Sequence, residues 1–344
     1  MTDFIAGLAD SPQFYPQKFD LVRDAVLLMA MRSADYQAAS FLDDRIVSAA
    51  TQAQWVPYAV VAQAMAQPQN PRPLHFIFHS GHVGSTLLSR VLDETAAILS
   101  LREPLTLRTF ADAHDALIAG TSLMEAAQFD ARLETVLRAW SRGYDATRAV
   151  VVKATSVASR FAPSLLTRRP AARAIYLNLR AEPFLATLLA GANSAIDLNG
   201  HAPLRYRRLQ NVLGPDVPAL SSLSLGELAA LSWLVETLTE AAVVRQFGPR
   251  ILTIDFDQLL AAPVEAVAAA LRQFALDVPH DLADMIARSA VLTRYSKAPE
   301  HAYSPQLRTQ LLDQARVEHA AELRKGLDLL DRLGAQHGAV AAVL

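Results

Sequence analysis

The stretch that most constrains the fold runs from residue 74 to residue 92, where an apolar segment leads through a small-residue turn into a helix. Residues 74–78 (L-H-F-I-F) are rich in β-forming side chains, which predicts a buried strand. Residues 80–86 (S-G-H-V-G-S-T), the glycine loop, contain two glycines and a Ser-Thr pair and precede an amphipathic helix. A strand, a glycine turn and a helix N-terminus gather backbone N–H groups around one point, which predicts a phosphate or sulfate site.

The glycine loop differs from that of the nucleotide triphosphatases, which carry a lysine between the last glycine and the Ser/Thr. Here Ser85 follows Gly84 directly, and His82 is the one loop side chain that can become positively charged. A nucleotide-dependent kinase stays open as an alternative, because residues 251–255 predict a strand that ends in Asp255, which could bind magnesium.

Composition excludes several classes of function. The 344 residues are 52% apolar, enough for a sizeable core, and a net charge of −2 argues against nucleic-acid or anionic-membrane binding. The chain has no cysteine, and hence no disulfide framework or thiolate site. Its first residues lack a basic, apolar leader, and no apolar run approaches the roughly 20 residues that span a bilayer. We therefore expect a cytoplasmic protein with no membrane span.

Strand-like and helix-like segments alternate after residue 70. Strands are expected at residues 74–78, 98–104, 149–155, 173–180 and 251–256, with helices between them, and a closing helix at 306–333. This order predicts an α/β fold with a parallel sheet flanked by helices on both faces, over residues 71–344. Residues 1–70 show helical periodicity, which predicts an N-terminal helical extension that could also take part in a homodimer contact.

Residues 191–222 combine Gly, Asn, Pro and Ser, which is typical of a loop or mobile cover. The basic cluster at residues 205–208, with His201, could bind an anionic acceptor. More often such a cluster lies in a solvent-exposed surface loop. Three histidines near the first strand, His75, His79 and His82, are poorly spaced for one metal ion, and no metal is expected.

The stretch F-I-F-H-S-G-H-V-G-S-T-L-L-S-R resembles the 5′-phosphosulfate-binding loop of the sulfotransferases, P-[R/K]-S-G-T-T-L-L. Two further segments resemble that family in the same order: Y-L-N-L-R-A-E-P at a strand end, and I-D-F-D-Q-L-L-A-A-P at a strand-to-helix junction. The resemblance implies a P-loop-type α/β fold and the donor 3′-phosphoadenosine 5′-phosphosulfate (PAPS), with no metal required. The two departures are His82, which replaces the basic residue of the family, and Val83, which replaces its serine.

The resemblance implies a donor site with two ends. Gly81, His82, Val83, Gly84, Ser85 and Thr86 would hold the 5′ end. Arg180 would bind the 3′-phosphate; the family places a serine eight residues later, where this chain has Leu188, with Thr187 one position earlier. Ser296 and Lys297 would close over the adenosine and the 3′-phosphate.

Three residues are the candidates for catalysis. Glu103 follows a strand that ends in Arg-Glu-Pro, where ligands of open α/β sheets collect, and would act as the general base toward an acceptor hydroxyl or amine. Lys153, at another strand end, would neutralise charge on the sulfonate or on the leaving phosphate, and protonated His82 would do so at the loop. Helix capping or ion pairing is the structural alternative for Glu103. The acceptor could be a small molecule, a glycan or a peptide, and a non-catalytic nucleotide-binding descendant stays open as a third interpretation.

Overall fold

The N-terminal region forms a small sheet in the computed structural model, which describes residues 4–5, 7–68, 70–298 and 300–344. Strands β1 (Phe14–Asp20), β2 (Ala25–Ala30) and β3 (Ala53–Pro57) pair antiparallel in that order. Two short α-helices accompany these strands in the described part of the region: α1 (Ser33–Ala38) and α2 (Tyr58–Ala64). The prediction of a helical N-terminal extension is therefore wrong. Residues 1–3, on which the leader expectation rests, and Gln69 lie outside the described residues.

A hairpin turn explains the mistaken helical periodicity. Phe19, Val22 and Val26 have helical spacing in the sequence, but the chain reverses between the first and the last of them. The Asp20 carboxylate accepts hydrogen bonds of 2.9 Å from the N–H groups of Val22 and Arg23, which closes the turn. Val22 is consequently 83% exposed, whereas Phe19 and Val26 point into the core from paired strands.

The central sheet has five parallel strands and confirms the predicted fold class. They are β4 (Leu74–His79), β5 (Ile98–Arg102), β6 (Ala149–Lys153), β7 (Ala174–Asn178) and β8 (Ile251–Asp255). Their order is β5-β6-β4-β7-β8, so the strand that precedes the glycine loop lies in the middle. The chain moves to one side of β4 for β5 and β6 and to the other side for β7 and β8. The carboxyl end of β4 is thus a switch point, where α/β sheets bind ligands.

Helices cover both faces of the sheet. In chain order they are α3 (Ser85–Glu94), α4 (Leu105–Ile118), α5 (Ala126–Trp140), α6 (Ala162–Arg168), α7 (Ala181–Ala190), α8 (Ser194–Leu213), α9 (Leu225–Phe247), α10 (Phe256–Ala261), α11 (Pro263–Gln273), α12 (Leu282–Arg288), α13 (Pro305–Glu318), α14 (Ala320–Gln336) and α15 (Gly338–Ala341). The predicted closing helix is thus split at His319. Among the described residues, no helix is long and apolar enough to cross a bilayer.

Two hydrophobic cores lie on opposite faces of the sheet. On one face, side chains of β4 and β7 such as Ile77 and Ile175 pack with helices α3, α7, α9 and α11. On the other, Phe76 and Phe78 pack with α4 and α5 and with Tyr15 and other side chains of the N-terminal sheet. The N-terminal region therefore shares a core with the central sheet, and the domain boundary at residue 70 stays a prediction.

The segment predicted as a loop at residues 191–222 is instead mostly α8, a helix of 20 residues with Pro203 inside it. Two of its arginines lie in ion pairs: Arg205 is 4% exposed and lies 3.0 Å from the Asp197 carboxylate of the same helix, and Arg208 pairs with Glu236 of α9, whereas Arg207 is exposed. Packing against α9, to which the pair of Arg208 with Glu236 belongs, outweighs the low helix propensity of Gly200 and Pro203.

Candidate active site

The glycine loop connects β4 to α3 through left-handed backbone. Gly81 has a φ of 102°, His82 one of 55° and Gly84 one of 71°. A side chain at Gly84 has no room, because a Cβ atom there would lie 2.2 Å from Cε2 of Phe256. The second glycine is therefore required both by its backbone conformation and by the close approach of the Phe256 ring.

The loop presents a run of free N–H groups. The Gly81 N–H donates to Nδ1 of His79 at 3.1 Å, and the Leu88 N–H begins the helical pattern with a bond of 2.9 Å to the Gly84 carbonyl. Between them, the N–H groups of residues 82–87 donate to no acceptor in the described part of the chain. Six consecutive free amides at a helix N-terminus are suited to an anion, and the binding of one at this loop stays a prediction.

Two hydroxyl groups of the loop are also without a partner. Oγ of Ser80 and Oγ1 of Thr86 are buried and form no hydrogen bond with any described residue, and Thr86 is only 1% exposed. Buried hydroxyls are rarely left in this state, because the lost hydration is then not compensated. An anion bound at the loop would supply the acceptor that Thr86 lacks.

His79 anchors the loop. Its Nδ1 accepts from Gly81, and its Nε2 therefore carries the proton and donates 2.8 Å to the Ala154 carbonyl. Burial lowers the pKa of His79 well below its ordinary value, so the ring stays neutral.

The histidines near β4 are engaged in other contacts. His75 stacks on Phe274 at 5.0 Å between ring centroids. Within the described ranges, no group of three or more His, Cys, Asp or Glu residues is placed to hold a metal ion.

A cavity of about 450 Å³ opens beside the loop, within the usual size of ligand pockets. Most of the predicted donor-site residues line it: His82, Val83, Gly84, Ser85, Thr86, Thr187, Ser296 and Lys297. The other wall comes from residues 294–298 and 300–303, here called the cavity loop, where Arg294 and Ala302 form an antiparallel bridge. The structure thus brings together segments more than 200 positions apart in the sequence.

Two predicted donor-site residues do not line the cavity. Gly81, near the start of the glycine loop, is absent from the cavity wall, and its N–H donates to Nδ1 of His79. Arg180 is the residue before α7; it is exposed, its carbonyl accepts from the Phe184 N–H at 3.2 Å, and its side chain forms no hydrogen bond or ion pair with a described residue. The assignment of a 3′-phosphate to Arg180 therefore finds no support in its position.

Sequence reasoning missed several residues of the cavity wall because no motif contains them. Arg308 lies 4.9 Å above the Phe256 ring and 2.7 Å from the Asp257 carboxylate, and its second terminal nitrogen has no partner among the described residues. Arg294, Tyr295 and Tyr303 also contribute. The clustering of basic and aromatic residues between positions 294 and 308 was the available signal.

Lys297 supplies positive charge at the loop. Its ammonium group is half-buried in the cavity wall and forms no ion pair in the part of the chain that the structure describes. Its charge lowers the pKa of His82 and of Lys153, although in both cases the loss of hydration on burial has the larger effect. An anion in the cavity would find this cation uncompensated.

Glu103 and Lys153, both candidates for catalysis, form an ion pair at the ends of two adjacent strands. Lys153 is fully buried, whereas the Glu103 side chain is 15% exposed. Glu103 has a φ of 52°, rare for a residue with a long side chain, and its N–H donates 2.7 Å to the Lys153 carbonyl. Neither residue lines the cavity, but the charge of Glu103 is close enough to His82 to affect its pKa. The pair thus lies on the other side of the glycine loop.

The buried ion pair predicts a pH dependence of stability. Burial lowers the pKa of Lys153 from 10.5 to about 8, against the opposing effect of Glu103. Between these values the unfolded chain binds more protons than the folded one, so stability rises with pH. Relative to Lys153→Met, the free energy of unfolding of the wild type should rise by on the order of 2 kcal/mol between pH 8 and pH 10.5, as measured by urea denaturation. If the difference in unfolding free energy between the wild type and Lys153→Met does not change with pH, the pKa of Lys153 is not lowered by burial.

His82 is surrounded by charges of both signs. Burial lowers its pKa, with Lys297 and Arg205 acting in the same direction and Asp197 and Glu103 in the opposite one. The side chain also reaches solvent, which limits the shift. The ring is therefore neutral at pH 7 in the free protein. Protonation of His82 needs a bound anion that favours the proton, and it stays a prediction.

No family model and no curated protein matches the sequence. Among solved structures, the chain is similar to the sulfotransferase domain from the curacin biosynthetic pathway, with 13% identity over 73% of this chain and 98% of that one and a TM-score of 0.40. It is also similar to sulfotransferase STF1 from Mycobacterium tuberculosis H37Rv (15% identity, 75% and 80% of the chains, TM-score 0.40) and to sulfotransferase STF9 from Mycobacterium avium (12%, 92% and 96%, 0.40). At these identities the similarity concerns the fold alone.

Proposed function

We propose that this chain transfers a sulfuryl group from PAPS to an acceptor hydroxyl or amine of a small molecule, glycan or peptide. The observation that carries the proposal is the row of six free N–H groups at residues 82–87, beside the unpartnered Thr86 hydroxyl and next to a cavity with an uncompensated Lys297. The loop fits the phosphosulfate end of the donor, and the cavity would receive the nucleoside and the 3′-phosphate.

The cavity wall offers the chemistry that a nucleotide with a second phosphate requires. Lys297 and Arg308 carry positive charge, and Phe256, Tyr295 and Tyr303 provide aromatic surface for a base. We therefore assign the 3′-phosphate to the cavity loop and α13 rather than to Arg180.

The ion pair on the other side of the loop supports the transfer step. Glu103 would take the acceptor proton as the acceptor atom attacks sulfur and the bond from sulfur to the 5′-phosphate oxygen breaks. Once protonated, Glu103 no longer compensates Lys153, and the ammonium charge becomes available to the leaving phosphate. The two residues thus have linked roles, proton acceptance by one and charge stabilisation by the other.

The kinase alternative has less support. Asp255, its candidate magnesium ligand, accepts a hydrogen bond of 3.0 Å from the Gln258 N–H and caps α10. The position that a triphosphatase would fill with lysine holds Ser85. The positive charge of this site comes instead from the cavity loop, far away in the sequence.

Calorimetry tests the proposal directly. Adenosine 3′,5′-bisphosphate (PAP), the product of the donor, should bind without magnesium at micromolar or lower concentration. ATP with magnesium should bind at least about tenfold more weakly. The reverse order would favour the kinase alternative. Tight PAP binding with no turnover of PAPS across a broad panel of phenols, sugars, peptides and amines would indicate a non-catalytic nucleotide-binding protein.

His82 should make PAP binding pH-dependent. A bound anion favours the protonated form of His82, and protonation increases as the pH falls. The affinity of the wild type for PAP should therefore rise between pH 8 and pH 6. It should rise more than the affinity of His82→Arg, whose side chain is charged at both pH values. At pH 8 His82→Arg should bind PAP about tenfold more tightly than the wild type. Calorimetry at constant ionic strength measures both, and His280→Arg, an exposed residue outside the cavity wall, controls for the added charge. Parallel pH profiles would exclude His82 as the titrating group.

A further inference from the structure

Two arginines hold the segment after β2 against the active-site elements. This segment, residues 36–45, is here called the strap. Arg102 of β5, fully buried, donates to the Ala39 carbonyl at 2.8 Å, to the Gln37 carbonyl at 3.0 Å and to the Tyr36 carbonyl. Arg90 of α3 donates to the carbonyls of Gln37 and Ala38, both at 3.2 Å. The free carbonyls at the end of α1 are thus bound by two guanidinium groups from the central sheet and the helix of the glycine loop.

The strap in turn holds the backbone around Glu103. The Leu42 N–H donates 2.6 Å to the Arg102 carbonyl, and the Leu42 carbonyl accepts from the Leu105 N–H at 3.3 Å. These bonds lie on either side of Glu103, the residue with left-handed backbone. Such a conformation persists only where its surroundings impose it, and it concentrates at functional sites.

Arg90 also contacts the donor side of the site. Its Nε donates 2.9 Å to the carbonyl of Ser296 in the cavity loop, and one terminal nitrogen donates 2.8 Å to Oγ of Ser40 in the strap. One side chain therefore connects the wall of the cavity with the segment that holds the candidate base.

We propose that Arg90 is a positioning residue, which fixes the strap and through it Glu103, and which stabilises both further when a nucleotide bound in the cavity orders the backbone at Ser296. The inference rests on the proposed function. It makes the N-terminal region part of the catalytic apparatus.

Hydrogen–deuterium exchange of Arg90→Met tests the positioning role. Exchange in peptides covering the strap and residues 103–107 should be about tenfold faster than in the wild type, because several charged hydrogen bonds are lost. PAP should slow exchange of these peptides in the wild type and not in Arg90→Met, even at PAP concentrations at which calorimetry shows both proteins saturated.

Arg138→Met is the matched control. Arg138 also donates to N-terminal carbonyls, that of Met65 at 3.5 Å and that of Ala66 at 3.0 Å, but it forms no hydrogen bond with the strap or with Glu103. This variant should behave like the wild type at the strap. Two results would overturn the positioning role. One is that PAP still slows exchange at the strap in Arg90→Met. The other is that the wild type binds PAP but its exchange at the strap does not slow. Failure of the wild type to bind PAP would instead contradict the proposed function, and this inference with it.

Discussion

Replacing Gly84 by alanine should weaken PAP binding by at least about 100-fold. The residue has a φ of 71°, and a Cβ atom would lie 2.2 and 2.4 Å from two atoms of the Phe256 ring. Phe256 is buried and lines the same cavity, so either the ring or the loop has to move. Movement of the loop redirects the free N–H groups, and movement of the ring narrows the cavity. Calorimetry with PAP measures the loss, and thermal denaturation establishes that the variant is folded.

Gly120→Ala separates the backbone effect from the steric one. Gly120 has a similar φ of 68°, but no atom lies within 4 Å of its Cβ position. This variant should lose about 1 kcal/mol of stability and bind PAP like the wild type. The double variant Gly84→Ala/Phe256→Leu should recover part of the lost affinity, because the smaller side chain makes room. Wild-type affinity in Gly84→Ala would show that the loop does not hold the anion.

The central sheet could be predicted because four of its strands, β4 to β7, are buried on both faces. Such strands are short apolar runs, as in residues 149–153 (A-V-V-V-K), and glycine or proline marks many of their ends. Their order in the sheet could not be predicted, since pairing of Arg102 with Lys153 depends on contacts between distant parts of the chain. Ion pairing is the structural alternative that the sequence offers for Glu103, but its partner, Lys153, could not be predicted for the same reason.

The failures share one cause, the dominance of tertiary contacts over local pattern. In residues 19–29 the same apolar residues fit a helix or a hairpin, and the Asp20 turn that decides between them carries a weak signal. In α8 the reverse occurs, because Glu236 of α9 pairs with Arg208 and stabilises a helix that contains a proline.

The glycine loop of the site could be predicted because a single local motif forms it. The cavity loop could not, because it meets the glycine loop only through contacts between distant segments. The glycine loop is local: its glycines and hydroxyls lie within seven residues, and their geometry follows from the order strand, turn, helix. The cavity loop is held at the site by a contact between distant parts of the chain, the hydrogen bond from Arg90 to the Ser296 carbonyl, while the bridge from Arg294 to Ala302 lies within the loop. Arg180 shows the converse, since a matching motif position at a strand end did not bring its side chain to the cavity.

Glu103→Gln should lower kcat by about 10²- to 10⁴-fold, the usual contribution of a positioned general base. The amide preserves the shape of the side chain but cannot accept the acceptor proton. PAP affinity should stay within about threefold of the wild type, because Glu103 does not line the cavity. The variant should also be less stable, since the fully buried Lys153 loses its counter-charge. Turnover is measured with radiolabelled donor and whichever acceptor the panel identifies, at a temperature where urea denaturation shows the variant folded.

Glu182→Gln controls for the loss of an ion-paired glutamate. Glu182 pairs with Arg316 at 2.7 Å in the first turn of α7 and is no part of the cavity wall. Its replacement should leave kcat unchanged. Since Lys153 acts through the charge that Glu103 releases, Lys153→Met should lower kcat in the wild type and have a smaller effect in Glu103→Gln. If the reductions of kcat in the two single variants add up in the double variant, the two side chains act separately. If kcat of Glu103→Gln equals that of the wild type, the ion pair has a structural role only.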